Sequence, residues 1–427
     1  MDMKLPYSGD GMMLHLDDTL DYEILESSIG SMPKTGKSED ELVQEAMAHP
    51  IGSDKLSKLA TDKQKVVIIC SDHTRPVPSR HIIPFMLREI REGNPQADIT
   101  LLIATGFHRA TTREELVNKF GEDIVSQEKI VVHDSADMDA MVNLGTLPSG
   151  APLLINRIAA QADLLVSEGF IETHFFAGFS GGRKSVLPGV SSRVTVLGNH
   201  CSAFIDSPYS RTGILDNNPI HKDMIAAARM AELAYIVNVI IDSDKKAVHA
   251  VAGGAIEAHA AGCRFLRQYC LVTPKYPADI AISTNGGYPL DQNMYQSVKG
   301  MTAAEAAAKD GGIIIMVSNC GDGHGGEGFY RALKDCESPQ SLMEEILKIP
   351  QDATKPDQWE YQIQCRILMH HRVIYVMNEK YRGMAREMGF QTASDVNEAL
   401  ELALQEKGRN AHIAVIPDGV SVMVNHP

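Results

Sequence analysis

The chain has one tryptophan, no closely spaced cysteine pair and no apolar run of the length a membrane helix requires. Each absence excludes something. A membrane-spanning helix needs roughly 18 or more consecutive apolar residues, and no stretch approaches that. The seven cysteines, at 70, 201, 263, 270, 320, 336 and 365, are scattered and odd in number. Without a C-x-x-C pair they point to reduced thiols in a cytoplasmic protein, not to a disulfide framework or a structural zinc site. Cys201 directly follows His200 and is either a thiol near the site or, as small buried thiols more often are, a packed side chain. The opening residues, MDMKLPYSGDGMML, lack the basic-then-apolar pattern of a signal peptide. Basic residues are outnumbered, 40 Lys and Arg against 55 Asp and Glu, for a net charge of −15. That balance argues against general affinity for nucleic acid or for acidic membrane surfaces. No repeat at solenoid spacing and no low-complexity tract is present.

What is there is 427 residues of ordinary globular composition, enough for two domains. Residues 1–30 alternate apolar and polar positions, which predicts an N-terminal strand or hairpin. Ser38-Glu39-Asp40-Glu41 resembles a capping box opening a helix to His49. Then short apolar runs alternate with polar loops. Lys65–Cys70, Asp98–Ala104, Lys129–His133 and Ala162–Val166 predict buried parallel strands. Helices are expected around 79–92 and after Thr111-Thr112-Arg113-Glu114. Ala234–Asp242 and Ala247–Val251 read as further strands, and Gly254–Tyr269 as a helix. The segment TPKYP at 273–277, with two prolines, marks a domain boundary. A second rhythm follows, with strands at Asp279–Ser283, Gly312–Ser318, Arg372–Met377 and His412–Ile416, and a helix carrying Gln292, Tyr295, Gln296 and Lys299. The expected fold is therefore α/β with two domains, each a mainly parallel sheet flanked by helices and the site in the cleft between them. The expected division is residues 1–272, completed by 406–427, and residues 273–405.

Ligands of such sheets bind beyond the carboxyl ends of the strands. Asp72, Arg75, His108, His174, Lys184 and His200 all lie at or after such ends. Arg75 offers a fork suited to carboxylate or phosphate, or else a salt bridge to a neighbouring acid. His108 and His174 are either proton exchangers near neutrality or surface and capping residues. The glycine-rich loop 178–185 holds Ser180, Gly181, Gly182, Arg183, Lys184 and Ser185, a set able to hold an anion. It fails the Walker A pattern because Arg183 separates Gly182 from Lys184. Lys184 is either a phosphate contact or an amine made nucleophilic by its cationic neighbour. His200 is a metal ligand or a helix cap. Gln296 and Lys299 share a helix face, with Tyr295 adjacent; that face is solvated or meets the first domain. Trp359 either walls a pocket or simply packs. His324 and Glu327 have metal-like spacing, in a loop whose glycines suit a tight turn equally well.

Taken together, SDHTRPVP (71–78), TGFHR (105–109), GFIETHFFAGFSGGRKSVLPG (169–189), GNH (198–200), NGGYPLDQNMYQSVKGM (285–301) and GHGGEGFYR (323–331) resemble the nickel-pincer lactate racemase family. The resemblance covers essentially the whole chain and implies an isomerase. Its cofactor is a nickel-bearing pyridinium-3-thioamide-5-thiocarboxylic acid mononucleotide, bonded through the thioamide to a lysine that matches Lys184, with a nickel-ligating histidine that matches His200. By the same resemblance Asp72, Thr74, Ser180, Gly181, Gly182, Arg183 and Ser185 surround the cofactor, within a cofactor-binding N-terminal domain. His108 and His174 match the pair of bases, one for each enantiomer's hydroxyl. Arg75 and Lys299 match the carboxylate-holding residues, with Tyr295, Gln296 and Trp359 lining the substrate pocket.

The implied reaction takes the hydrogen on C2 of a 2-hydroxy acid as hydride and returns it to the opposite face of a planar 2-keto acid. Lactate is the leading substrate; a longer aliphatic, aromatic, malate-like or sugar acid is the alternative. The implied partners are that small substrate and the enzymes that build the cofactor, with no nucleic acid and no membrane. A nicotinamide dehydrogenase would need G-x-G-x-x-G after the first buried strand, where SDHTRPVP stands instead. A non-catalytic binder of a phosphorylated ligand would not need two histidines and a reactive lysine together.

Overall fold

In the computed structural model, residues 1–32, 36–242 and 244–425 are described. Two six-stranded sheets organise them. The first runs, edge to edge, Ala247–Gly253, Leu233–Ile241, Leu164–Phe170, Lys65–Ser71, Asp98–Ala104 and Lys129–Val132. All its pairings are parallel save that of the Ala247–Gly253 edge. The second runs Gln391–Ala393, Arg372–Val376, Ala308–Val317, Ala278–Thr284, His412–Ile416 and Asp21–Ile24, parallel throughout.

Period-two geometry explains why these runs are apolar on both faces. Val66, Ile68 and Cys70 point into a core on one face of the first sheet, while Ile313, Ile315 and Val317 do the same in the second. The alternate residues enter a single shared cluster. Val67, Ile69, Leu102 and Leu165 of the first sheet belong to it together with Ile314, Met316, Ala414 and Ile416 of the second. The two sheets are thus joined through one continuous core.

Local signals behave as the sequence dictates. Ser38 and Glu41 close a capping box on the helix Glu39–Ala48, and Thr112 with Glu115 closes another on Arg113–Phe120. Asp2–Leu5 and Met12–His15 form the expected N-terminal hairpin. Three details differ from expectation. His412–Ile416 pairs with Ala278–Thr284 and with Asp21–Ile24 inside the second sheet, so this part of 406–427 does not complete the first. Asp21–Ile24 is likewise the second sheet's edge strand. Gln292 precedes its helix, which spans Met294–Ala307 behind the N-cap Asn293. No described helix is long and apolar enough to cross a membrane.

Candidate active site

A cavity of about 580 Å³ opens at the carboxyl ends of the first sheet's strands. Ser71, Ala104, Glu168 and Phe170 bring three strand ends to its wall, and residues 295–299 and 356–360 of the second unit complete it. Of the residues singled out from sequence, Arg75, His108, His174, Ser180, Gly181, Gly182, Lys184, Ser185, His200, Tyr295, Gln296, Lys299 and Trp359 line it. Asp72, Thr74 and Arg183 do not.

The two histidines are set in opposite ways. Nδ1 of His108 lies 2.6 Å from Oδ2 of the buried Asp72 and 3.2 Å from Oγ1 of Thr74. Asp72 also accepts from the Thr74 amide and hydroxyl, at 3.1 and 2.7 Å. Burial works against its charge, but the His108 and Thr74 hydrogen bonds and the nearby charges of His108 and Arg75 hold its carboxyl below the usual value. A carboxylate at Nδ1 fixes the proton there and leaves Nε2 as acceptor. In His174, Nδ1 accepts the amides of Phe176 and Ala177, at 3.5 and 3.3 Å, so the ring proton of the neutral form sits on Nε2. Its ring stacks on Phe175 and meets Phe176 edge-on. Burial, then the charges of Lys184, Lys299 and Arg75, push its pKa well below that of a free histidine.

The half-buried Lys184 and the buried His200 each hold a nitrogen with no hydrogen-bond partner among the described residues. The Lys184 amine makes no hydrogen bond or ion pair among the described residues; it lies 5.9 Å from the centre of the Phe176 ring. Burial, reinforced by Arg183 and Arg75, drives its pKa far below the lysine norm, which favours the neutral, nucleophilic amine. Nδ1 of His200 is buried with no hydrogen-bond partner. Its ring contacts Phe176 and Trp359 edge-on, each at 5.1 Å, and burial brings its pKa down to about 3. Metal ligation requires an unprotonated imidazole, and acylation requires a free amine. Both groups fit a lysine-tethered, histidine-ligated metal cofactor.

Arg183 is a correction. Its guanidinium turns away from the cavity and staples the loop from behind. Nε donates to Nδ1 of His221 at 3.1 Å, Nη2 to the Ala177 carbonyl at 2.8 Å, and Nη1 to the carbonyls of Ser180 and Gly181 at 3.4 and 3.2 Å. Nη1 also lies 3.0 Å from Nε2 of His259. With its donors engaged inside the fold, it is not free to hold a ligand phosphate. The loop's glycines serve the same packing. Gly181 and Gly182 have φ of +78° and +52°. A Cβ on Gly181 would lie 2.7 Å from the Asn238 side-chain oxygen, and one on Gly182 2.7 Å from the His259 ring.

On the facing wall, Lys299 donates to Oε1 of Gln296 at 2.6 Å. Trp359 packs on His200 and, at 6.0 Å between ring centres, on Phe107, so it walls the pocket where the two units meet. Sequence reasoning missed Glu168, Arg193, Asp357 and Glu360, which also line the cavity. Glu360 follows the already suspect Trp359 and Glu168 precedes the glycine block, so adjacency was the available signal. Burial pushes the Glu360 carboxyl up to about 8, against the pull of Lys299. His324 and Glu327 form a partly exposed ion pair at 3.6 Å, and no group of three metal-ligating side chains exists among the described residues.

The lactate racemase N-terminal domain family matches residues 7–213 and the lactate racemase C-terminal domain family matches 273–424. The second match includes His412–Ile416, in keeping with that strand's place in the second sheet. A lactate racemase of Thermoanaerobacterium thermosaccharolyticum is 54% identical over 422 residues, covering 99% of each chain. A lactate racemase of Lactiplantibacillus plantarum is 55% identical over 387 residues, covering 91% of each. The solved structure of the T. thermosaccharolyticum lactate racemase apoprotein superposes with a TM-score of 0.96 at 53% identity, over 100% of both chains. A Thermotoga maritima protein at 17% identity and a TM-score of 0.64, covering 91% of this chain and 98% of its own, shares the fold alone. With both family domains matched and relatives above half identity over nearly its whole length, this chain belongs to the lactate racemase family and is an isomerase.

Proposed function

We propose that this chain interconverts the enantiomers of a 2-hydroxy acid, lactate before others, in the cavity between Arg75 and Trp359. One observation carries the reading: two oppositely set imidazoles share a cavity with an unpaired lysine amine and a buried histidine nitrogen that has no partner. Lys184 would hold the nickel-pincer mononucleotide covalently and His200 its nickel, and the group, when bound, supplies acceptance and return of the C2 hydrogen as hydride. It would reach the apoprotein from the enzymes that build it.

The chain's own residues do the rest. Arg75, whose guanidinium makes no hydrogen bond or ion pair among the described residues, and Lys299 hold the substrate carboxylate, with Gln296 and Tyr295 beside them. Trp359 and Phe107 give the substrate's side chain an apolar wall. Nε2 of His108 takes the hydroxyl proton of one enantiomer, and Asp72 stabilises the imidazolium that results. His174 serves the other enantiomer. To carry a second proton it must give up its backbone contacts at Nδ1 and accept a charge near Lys184, Lys299 and Arg75; the bound carboxylate offsets that repulsion. Protein produced together with the cofactor-building enzymes is expected to carry nickel and a mass adduct on Lys184, and to racemise lactate. Racemisation by protein with neither would overturn the proposal.

A further inference from the structure

Glu168 has no part in the chemistry above, yet it is a buried acid of the cavity with one unpartnered oxygen. It lies within Leu164–Phe170 and is 3% exposed. Its Oε1 accepts both the amide and the hydroxyl of Ser71, each at 2.7 Å. Its Oε2 is buried with no partner, and the residue lines the cavity beside Gly169, Gly181 and Gly182. The nearby ammonium of Lys119 does not meet it; that group donates to the carbonyls of Arg75 and Val77, at 3.1 and 3.5 Å. A buried carboxylate oxygen with no donor is costly, so the occupant of this corner must bring hydrogen. A phosphate or carboxylate would be repelled there, whereas a neutral hydroxyl is matched. In nucleotide-binding α/β sheets, an acid near a strand's carboxyl end takes up ribose hydroxyls for this reason.

We infer that Glu168 is the ribose-binding residue of the cavity, its free oxygen accepting hydrogen bonds from the sugar hydroxyls of the mononucleotide. The inference rests on the mononucleotide reading above and adds a division of the cavity. Cations and neutral bases around Lys184, His200 and Arg75 serve the reacting and anionic parts, and one carboxylate selects the sugar.

Calorimetric binding of nicotinic acid mononucleotide and of its 2′,3′-dideoxy counterpart to the apoprotein tests this. Wild-type protein is expected to bind the ribose form about tenfold tighter or more, the effect of a hydrogen bond to a charged acceptor. Glu168→Ala is expected to bind the two alike, and Glu168→Gln, which keeps an acceptor for Ser71, to show reduced discrimination even if the alanine variant folds poorly. Equal affinity of the two nucleotides for wild-type protein, discrimination that survives in both variants, or no binding of either nucleotide overturns the assignment. A Lys184 adduct in the holoprotein without ribose discrimination removes this inference and leaves the racemase reading standing. Absence of both the adduct and nucleotide binding removes both.

Discussion

The two walls of the cavity are built on opposite principles. The first-sheet wall holds bases whose protonation burial disfavours: His174, Lys184 and His200. Its loops are fixed from behind by Arg183 and by glycines packed too closely for any Cβ. The second-sheet wall carries acids whose burial resists ionisation, Asp357 and Glu360, beside a Lys299 already bonded to Gln296. Under the proposed function, the difference separates two tasks. Covalent attachment, metal ligation and proton exchange need uncharged nitrogen lone pairs held rigidly. Substrate selection needs polar groups whose charge responds to what is bound.

The largest effect that sharpens this contrast is expected at Lys184. Lys184→Ala leaves the fold intact while abolishing tethered nickel, and racemisation falls by more than about 1000-fold; nickel analysis and intact mass check it, and a variant retaining tight cofactor breaks the assignment. Next come the two imidazoles. His108→Ala and His174→Ala each lower turnover by about 100- to 10,000-fold, with each variant impairing the half-reaction of one enantiomer more than that of the other. Full activity in the double variant breaks the two-base account. Asp72→Asn, which acts only through His108, should cost less, about 10- to 100-fold, and shift the pH profile of the half-reaction His108 serves. On the selecting wall, Lys299→Met should act mainly by raising KM, by about tenfold, as loss of a carboxylate contact does.

The smallest effect is on stability, and its sign is opposite for the two walls. His174 and His200 are protonated in the unfolded chain below the ordinary histidine range but stay neutral in the fold. Their contribution is present above that range and is lost as pH falls below it, for His200 through about 3. Glu360 has a folded-state pKa raised to about 8, so its contribution is present at acid pH and lost as pH rises through that value. Glu360→Gln should therefore raise Tm by a few degrees at pH 9 and by less at pH 5. Thermal melts across pH check both signs.

Much of the fold was legible because apolar runs such as Lys65–Ser71 and Asp98–Ala104 are buried on both faces and end in polar loops. The capping box at Ser38 and the polar run from Thr111 marked helix starts for equally local reasons. The pairing of His412–Ile416 with strands at Ala278 and Asp21 was not legible, because pairing partners are set by packing across hundreds of residues. Basic site residues announced themselves by type and by place at strand ends. The direction of Arg183 did not, since a fully buried guanidinium bonded to carbonyls and imidazoles reads in sequence like any phosphate-binding arginine. Glu168 and Glu360 were hidden for the complementary reason: an acid in a chain of net charge −15 looks like surface until its burial is seen.

On the proposed reading, the C2 hydrogen leaves and returns as hydride inside this cavity while the histidines move only hydroxyl protons. Racemisation of L-lactate carrying deuterium at C2, in ordinary water, tests it most directly. The expected product is D-lactate that keeps its deuterium, formed at a rate slowed by the heavier isotope. Loss of the label to solvent at the rate of racemisation would mean a base removes that hydrogen as a proton, and would contradict it.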